Sequence, residues 1–237
     1  MKTKDIENIL KKVQEGEAVK NTAFIANTKL RREKIDFEYT GNELDEYEKC
    51  KKDPVYFIEN YCYIVVNGES QKIKLTDCQK NFLSKSCKHI LQDRRSYFTT
   101  TLALKNLYDM IFNNEHIGIV SKEDAADELI DKIKFTYQNL PYFLQKGVKH
   151  FNKNEIKLED NSGVSKVTSS NYIGQSYNAL YMLNNSNPKH NYVKKVYENI
   201  MPCVAATNGK IVTVDDNTEA KAKSLSNDCF IFSSSNN

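Results

Sequence analysis

The chain has 237 residues and a formal net charge of +3; 40% of its residues are hydrophobic and 11% aromatic. That is enough apolar material for a core, which excludes a fully disordered chain, and the small charge neither demands nor excludes a nucleic-acid partner. The longest apolar runs, such as 61–66, are far too short to cross a bilayer, and the opening MKTKDIENIL lacks the apolar stretch of a leader, so neither a membrane span nor a leader is expected.

In chain order, Ile6, Ile9, Leu10 and Val13 recur at helical spacing, and Gly16 can end that helix. Residues 20–40 mix charge with few apolar anchors, so they either cross the body as an extended arm or are mobile. A helix is predicted over 42–52. Asp53-Pro54 restarts the chain, with Asp as N-cap and Pro at the first helical position of a helix carrying Phe57, Ile58 and Tyr61. The predicted organisation is a helical N-terminal appendage over 1–52, a main domain over 53–217, and a C-terminal strand with a Ser/Asn tail over 218–237.

From Lys72 onward, strand-like and helix-like segments alternate. Residues 73–75 read as short and extended. Thr76 or Asp77 caps a helix bearing Phe82, Leu83, Ile90 and Leu91; 95–99 is β-prone and 100–112 helical. A strand over 116–120 precedes an amphipathic helix over 123–139, with Ala126, Leu129, Ile130 and Ile133 on one face and Leu140-Pro141 closing it. Segments 155–158 and 164–168 form a β-pair around Asp160-Asn161-Ser162-Gly163. Strands follow at 179–183, 210–214 and 229–232, with a helix over 192–203. This alternation implies an α/β fold, a mostly parallel sheet with helices on both faces.

The six cysteines have no C-x-x-C spacing and the four histidines lie far apart, so reduced thiols are expected and neither a zinc site nor a disulfide framework. The element order suits a P-loop NTPase core, which needs glycines to let backbone amides wrap phosphates and a lysine to reach them. None of the eight glycines lies between Gly68 and Gly118, and no G-x-x-x-x-G-K-[ST] occurs. The only Gly-Lys pair, Gly209-Lys210, precedes a strand.

Several segments nevertheless resemble the ATPase domain of the large terminase subunit of tailed phages, especially the T-even-like kind. CKKDPVYFIENYCYI (50–64) resembles its entry helix. IKLTDCQKNFL (73–83) resembles its adenine-side motif, which maps the base-contacting glutamine to Gln79 and puts Cys78 in a tyrosine's place. Residues 116–170 resemble the stretch between the two Walker motifs, and YIGQSYNALYMLNN (172–185) the segment leading into the Walker B strand. The similarity covers about residues 24 to 215 and rests on the order and spacing of these segments.

What the resemblance implies for chemistry is mostly loss. The stretch matching the phosphate loop is Asp93-Arg94-Arg95-Ser96-Tyr97-Phe98-Thr99-Thr100, with Tyr97 at the glycine and Phe98 at the lysine. The aromatic pair is expected to fill the space that phosphates require. Thr99 retains a hydroxyl suited to magnesium, but a Thr-Thr-Thr run is also ordinary sequence. The Walker B strand ends in Asn184-Asn185 where two carboxylates are needed, one for magnesium and one to activate water. Asp215-Asp216 reads as an acidic turn after a strand. The degenerate nucleotide-site positions are therefore Gln79, Arg94, Tyr97, Phe98, Thr99, Thr100, Asn184 and Asn185, with no catalytic residue and no metal ligand expected. About twenty residues follow Asp216, too few for the family's nuclease domain, so none is expected.

The reading that follows is a catalytically inactive relative of the packaging ATPase, acting by binding terminase subunits or the portal in the cytoplasm of an infected bacterium. It would be a structural component or a competitive inhibitor of packaging, with no cofactor. Three alternatives stand beside it: a divergent motor subunit that binds ATP and magnesium through substitutes such as Arg94 or Arg95, a module binding double-stranded DNA through its modest lysine clusters, and a decayed fragment that folds poorly.

Overall fold

The computed structural model describes residues 23–24, 27–93, 96–121, 124–168, 175–183, 199–216 and 229–232. The readings for Ile6 to Val13 and for 192–198 lie outside the described residues.

The chain enters through a two-stranded ribbon, β1 (Ala23–Phe24) and β2 (Asn27–Arg31). Helix α1 (Gly41–Lys52) starts at a capping box, in which Thr40 and Glu43 satisfy each other's backbone amides. Helix α2 (Pro54–Tyr61) starts as expected, Asp53 Oδ1 accepting from the amides of Val55 at 2.8 Å and Tyr56 at 3.1 Å. Glu46 of α1 accepts from both Tyr56 and Tyr61 hydroxyls at 2.8 Å, which clamps the two helices. A hairpin follows, β3 (Tyr63–Val66) and β4 (Glu69–Lys72), turning at Asn67-Gly68 with positive φ at both.

Helix α3 (Asp77–Ser84) leads to β5 (His89–Gln92), α4 (Phe98–Phe112), β6 (His116–Val120) and α5 (Ala125–Gln138). The chain continues through β7 (Val148–Phe151), β8 (Glu155–Leu158), β9 (Gly163–Lys166) and β10 (Ala179–Leu183). A helical segment over 199–205 precedes β11 (Lys210–Asp216) and β12 (Cys229–Phe232).

The main sheet has eight strands in the order β12-β5-β11-β10-β6-β9-β8-β7. Pairing from β12 through β9 is parallel; β8 and β7 join antiparallel. Period-2 alternation divides the core. Ala179, Tyr181 and Leu183 of β10 face a core shared with α2 to α5, whereas Leu180 and Met182 face a second core with Val120, Ile200 and Val204. Helices therefore cover both faces of a mostly parallel sheet, as the alternation of segments implied.

Residues 27–31 cross the body as an extended arm. Leu30 is fully buried. Gln145 accepts from the Arg31 amide and donates to the Lys29 carbonyl, both at 3.0 Å. Glu159 receives the Arg31 guanidinium at 2.9 Å and the amides of Gly147 at 2.9 Å and Lys34 at 3.1 Å.

Some readings need correction. Ile90 and Leu91 belong to β5, not to the helix begun at Thr76, because this strand pairs on both edges, with β11 and β12. A strand buried on both faces shows an unbroken apolar run that periodicity alone cannot tell from a helix. The described part of 95–99 is not a strand, since α4 already begins at Phe98. Asp215 and Asp216 are the paired end of β11, opposite Leu91 and Gln92, and not a turn. Residues 73–75 are extended but unpaired as a strand; Ile73 and Leu75 are buried and the Leu75 amide donates to Glu59. The hairpin β3–β4 and strand β7 are additions.

Two predictions follow from this packing. Gly163 lies between β6 and β8, and a Cβ there would meet the Ile156 carbonyl oxygen at 2.3 Å. Gly163→Ala is expected to lose about 1–3 kcal/mol in urea unfolding. Burial alone would raise the Glu159 carboxyl, but the Gly147 and Lys34 amides and Arg31 outweigh it and hold it below the usual carboxylate range. A depressed carboxylate contributes stability that is present above its unfolded value, near 4.5, and lost as pH falls through its folded value. Glu159→Gln should lower the melting temperature at pH 7, and flatten the loss on acidification seen in melts from pH 7 downward.

Candidate functional site

Strand order creates one crevice. From β5 the chain crosses through α4 to β6, three positions away in one direction, and β12 later lands on the opposite side of β5. At such a reversal, no helix covers the carboxyl ends of the strands, and ligands of open α/β sheets bind there. A cleft of about 740 Å³ occupies this place. That volume is in the range of small-molecule sites.

Four parts of the fold wall it. The strand ends supply Gln92, Asp93 and Asp216. The approach to α4 supplies Ser96 and Tyr97, followed by Thr99 and Thr100 of its first turn. The outer face of α5 gives Glu128, Asp131, Lys132 and Phe135, and the tip of β3 gives Val65 and Val66. The hairpin is held against α5 by Thr136, whose hydroxyl donates to the Tyr63 carbonyl at 3.0 Å.

The aromatic pair does not fill this space, contrary to expectation. Phe98 turns into the core, 3% exposed, with its ring centroid 5.6 Å from Phe82 and 5.1 Å from Phe232. Tyr97 turns out: it is 69% exposed and holds φ 57° and ψ 23°, a left-handed conformation that glycine adopts freely and tyrosine does not. As N-cap of α4, Tyr97 offers no side-chain hydrogen bond to the first turn.

Gln79 is engaged elsewhere. Its side-chain oxygen accepts from the Thr76 amide at 2.9 Å in a capping box, its nitrogen donates to Thr101 Oγ1 at 3.0 Å, and the residue is buried. It ties α3 to α4 and does not line the cleft. Thr99 and Thr100 do line it, half-buried. Arg94, Asn184 and Asn185 lie outside the described residues. Sequence reasoning missed the α5 face and the hairpin wall; the Asn67-Gly68 dipeptide after an apolar run was the available signal for the hairpin.

Among the described lining residues the charged groups are Asp93, Glu128, Asp131, Asp216 and Lys132, and the Lys132 ammonium is paired with Glu128. Among the described residues no group of three or more histidine, cysteine, aspartate or glutamate side chains is placed to hold a metal ion, and no helix is long and apolar enough to cross a membrane.

A mostly parallel α/β sheet with a cleft where the strand order reverses is an arrangement common to open α/β folds. The fold is that of phage large-terminase ATPase domains. It is similar to the large terminase of bacteriophage HK97, with a TM-score of 0.54 and 14% identity over 72% of this chain and 38% of that one. It is also similar to a mutant ATPase domain from the large terminase of Thermus phage P74-26, with a TM-score of 0.51 and 11% identity over 68% of this chain and 81% of that one. The chain thus matches well under half the length of the HK97 protein. No protein-family model matches the sequence.

Placing a lysine at the first residue of α4 should break the aromatic packing. Phe98→Lys is expected to cost about 3–5 kcal/mol, because it removes a buried ring and buries a charge. Tyr97→Gly should keep full stability or gain up to about 1 kcal/mol by relieving the left-handed backbone. Equilibrium unfolding of the two variants beside the parent checks both.

Proposed function

We propose that this protein is a non-hydrolysing relative of the packaging ATPase, which keeps the domain's fold and acts by binding to packaging-machinery partners. One observation carries the reading: the residue standing where the resembled phosphate loop has its lysine is Phe98, and its ring is committed to the core. A triphosphate needs fixed positive charge and wrapped amides at that point. Four of the five charged groups among the described lining residues are carboxylates instead, two of them paired with lysines, Glu128 with Lys132 and Asp131 with Lys134.

Among the described lining residues the one cation, Lys132, is already paired with Glu128, which supports this reading. The chain keeps the apolar register of the sheet, so the surfaces of the fold remain available for contacts with terminase subunits or the portal. The setting is the cytoplasm of an infected bacterial host, where packaging takes place.

Isothermal titration with ATP and magnesium, together with a phosphate-release assay, tests the first half. The expected outcome is no saturable binding below millimolar nucleotide and no turnover; micromolar binding with turnover overturns the reading. Co-purification from infected cells tests the second half: a terminase subunit or portal should accompany the tagged chain.

A further inference from the structure

The chain carries the dipeptide Asn-Gly twice, at Asn67-Gly68 and at Asn208-Gly209, and the fold treats the two copies differently. We propose that Asn67 is a self-modification site: its side-chain amide is lost by attack of the Gly68 backbone nitrogen, while Asn208 is protected from the same reaction.

The step balances with water as the only co-reactant. The Gly68 nitrogen bonds to Asn67 Cγ and gives up its proton. The bond from Cγ to the side-chain nitrogen breaks, ammonia leaves with that proton, and a cyclic imide joins the two residues. Water then opens the imide at either carbonyl. One product is aspartate; the other is isoaspartate, in which the main chain runs through Cβ and Cγ.

Three observations separate the two copies. Asn67 and Gly68 are both exposed, at the tip of the β3–β4 hairpin. A Cβ on Gly68 would meet nothing within 4 Å, so no neighbour hinders ring closure. The ladder closes at the Val66–Glu69 pair, which leaves the Gly68 amide outside it. A two-stranded hairpin is marginally stable alone, and the Thr136 hydrogen bond that fastens this one is at Tyr63, the base of β3 and not its tip. At the second copy the nitrogen is engaged: the Gly209 amide donates to the Val204 carbonyl at 2.9 Å. A Cβ on Gly209 would lie 2.3 Å from the Tyr177 carbonyl oxygen, so this residue is wedged against the segment entering β10. Attack there requires breaking that hydrogen bond and shifting packed backbone.

Conversion alters a wall of the cleft. The turn depends on positive φ at both residues, 53° at Asn67 and 84° at Gly68, a geometry matched to the twist of its strands. Isoaspartate lengthens the main chain by one carbon at that point, and either product adds a carboxylate. Val65 and Val66, which line the cleft, lie next to it.

The test is incubation of the full chain in mildly alkaline buffer, native and in urea, followed by peptide mapping with mass spectrometry and isoaspartyl methyltransferase labelling. In the native chain Asn67 should convert about tenfold faster than Asn208, the factor for one amide hydrogen bond that must first break, and in urea the two rates should be comparable. Equal native rates, or a native Asn67 that keeps its amide while the unfolded chain converts, overturns the proposal. Hydrogen exchange of the amides over 63–72 should quicken in the aged chain and stay as it was in aged Asn67→Gln, whose longer side chain closes the ring far more slowly. Exchange that quickens equally in both, or in neither, overturns the effect on the cleft wall.

Discussion

Four phenylalanine rings decide where the cleft begins. Phe82 from α3, Phe98 from α4, and Phe230 and Phe232 from β12 meet with centroids of 5.1 to 5.7 Å for the Phe82–Phe98, Phe82–Phe230, Phe82–Phe232 and Phe98–Phe232 pairs. Each such contact adds about 0.5–1.5 kcal/mol beyond the area it buries. The cluster holds α3 and α4 against the outermost parallel strand, and so secures the edge of the sheet beside β5. It also dictates the entry to α4. With the first helical side chain fixed in the core, the residue before it must reverse direction sharply, and Tyr97 does so at positive φ. The exposed ring and the buried ring are thus two consequences of one anchor.

The rest of the sheet depends on alternation that has nothing to do with phosphate. Ala179, Tyr181 and Leu183 alternate with Leu180 and Met182 between two separate cores, and the parallel register of β10 with β6 and β11 keeps both cores aligned. These requirements are met by apolar side chains at period 2. The requirements of nucleotide chemistry are met by glycine, lysine and carboxylate at strand ends. The two sets scarcely overlap, which is why one can be retained without the other.

What the sequence made legible follows the same division. Strands His116–Val120 and Ala179–Leu183, and the buried face of Ala126, Leu129, Ile130 and Ile133, come directly from local pattern. Thr76, Asp53 and Pro54 announce helix starts because capping is local chemistry. Ile90 and Leu91 were not assignable, since β5 acquires both its neighbours, β11 and β12, from more than a hundred residues downstream. Gln79 is a different case: a glutamine in this motif serves equally as N3 of a capping box, and here its side chain completes that box and donates to Thr101 Oγ1. Ser96 carried no signal, as a buried hydroxyl without a partner among the described residues is a feature only of three dimensions.

The persistence of the cleft is a matter of topology. A crossover from β5 to β6 in one direction and the later arrival of β12 in the other leave the carboxyl end of β5 uncovered, whatever side chains stand there. Phe98, one of the rings beside it, is already held in the core by Phe82 and Phe232. Tyr97 cannot enter without giving up the backbone turn that Phe98 imposes. An open cleft beside the carboxyl end of β5 is consequently the outcome of this sheet order combined with this helix anchor.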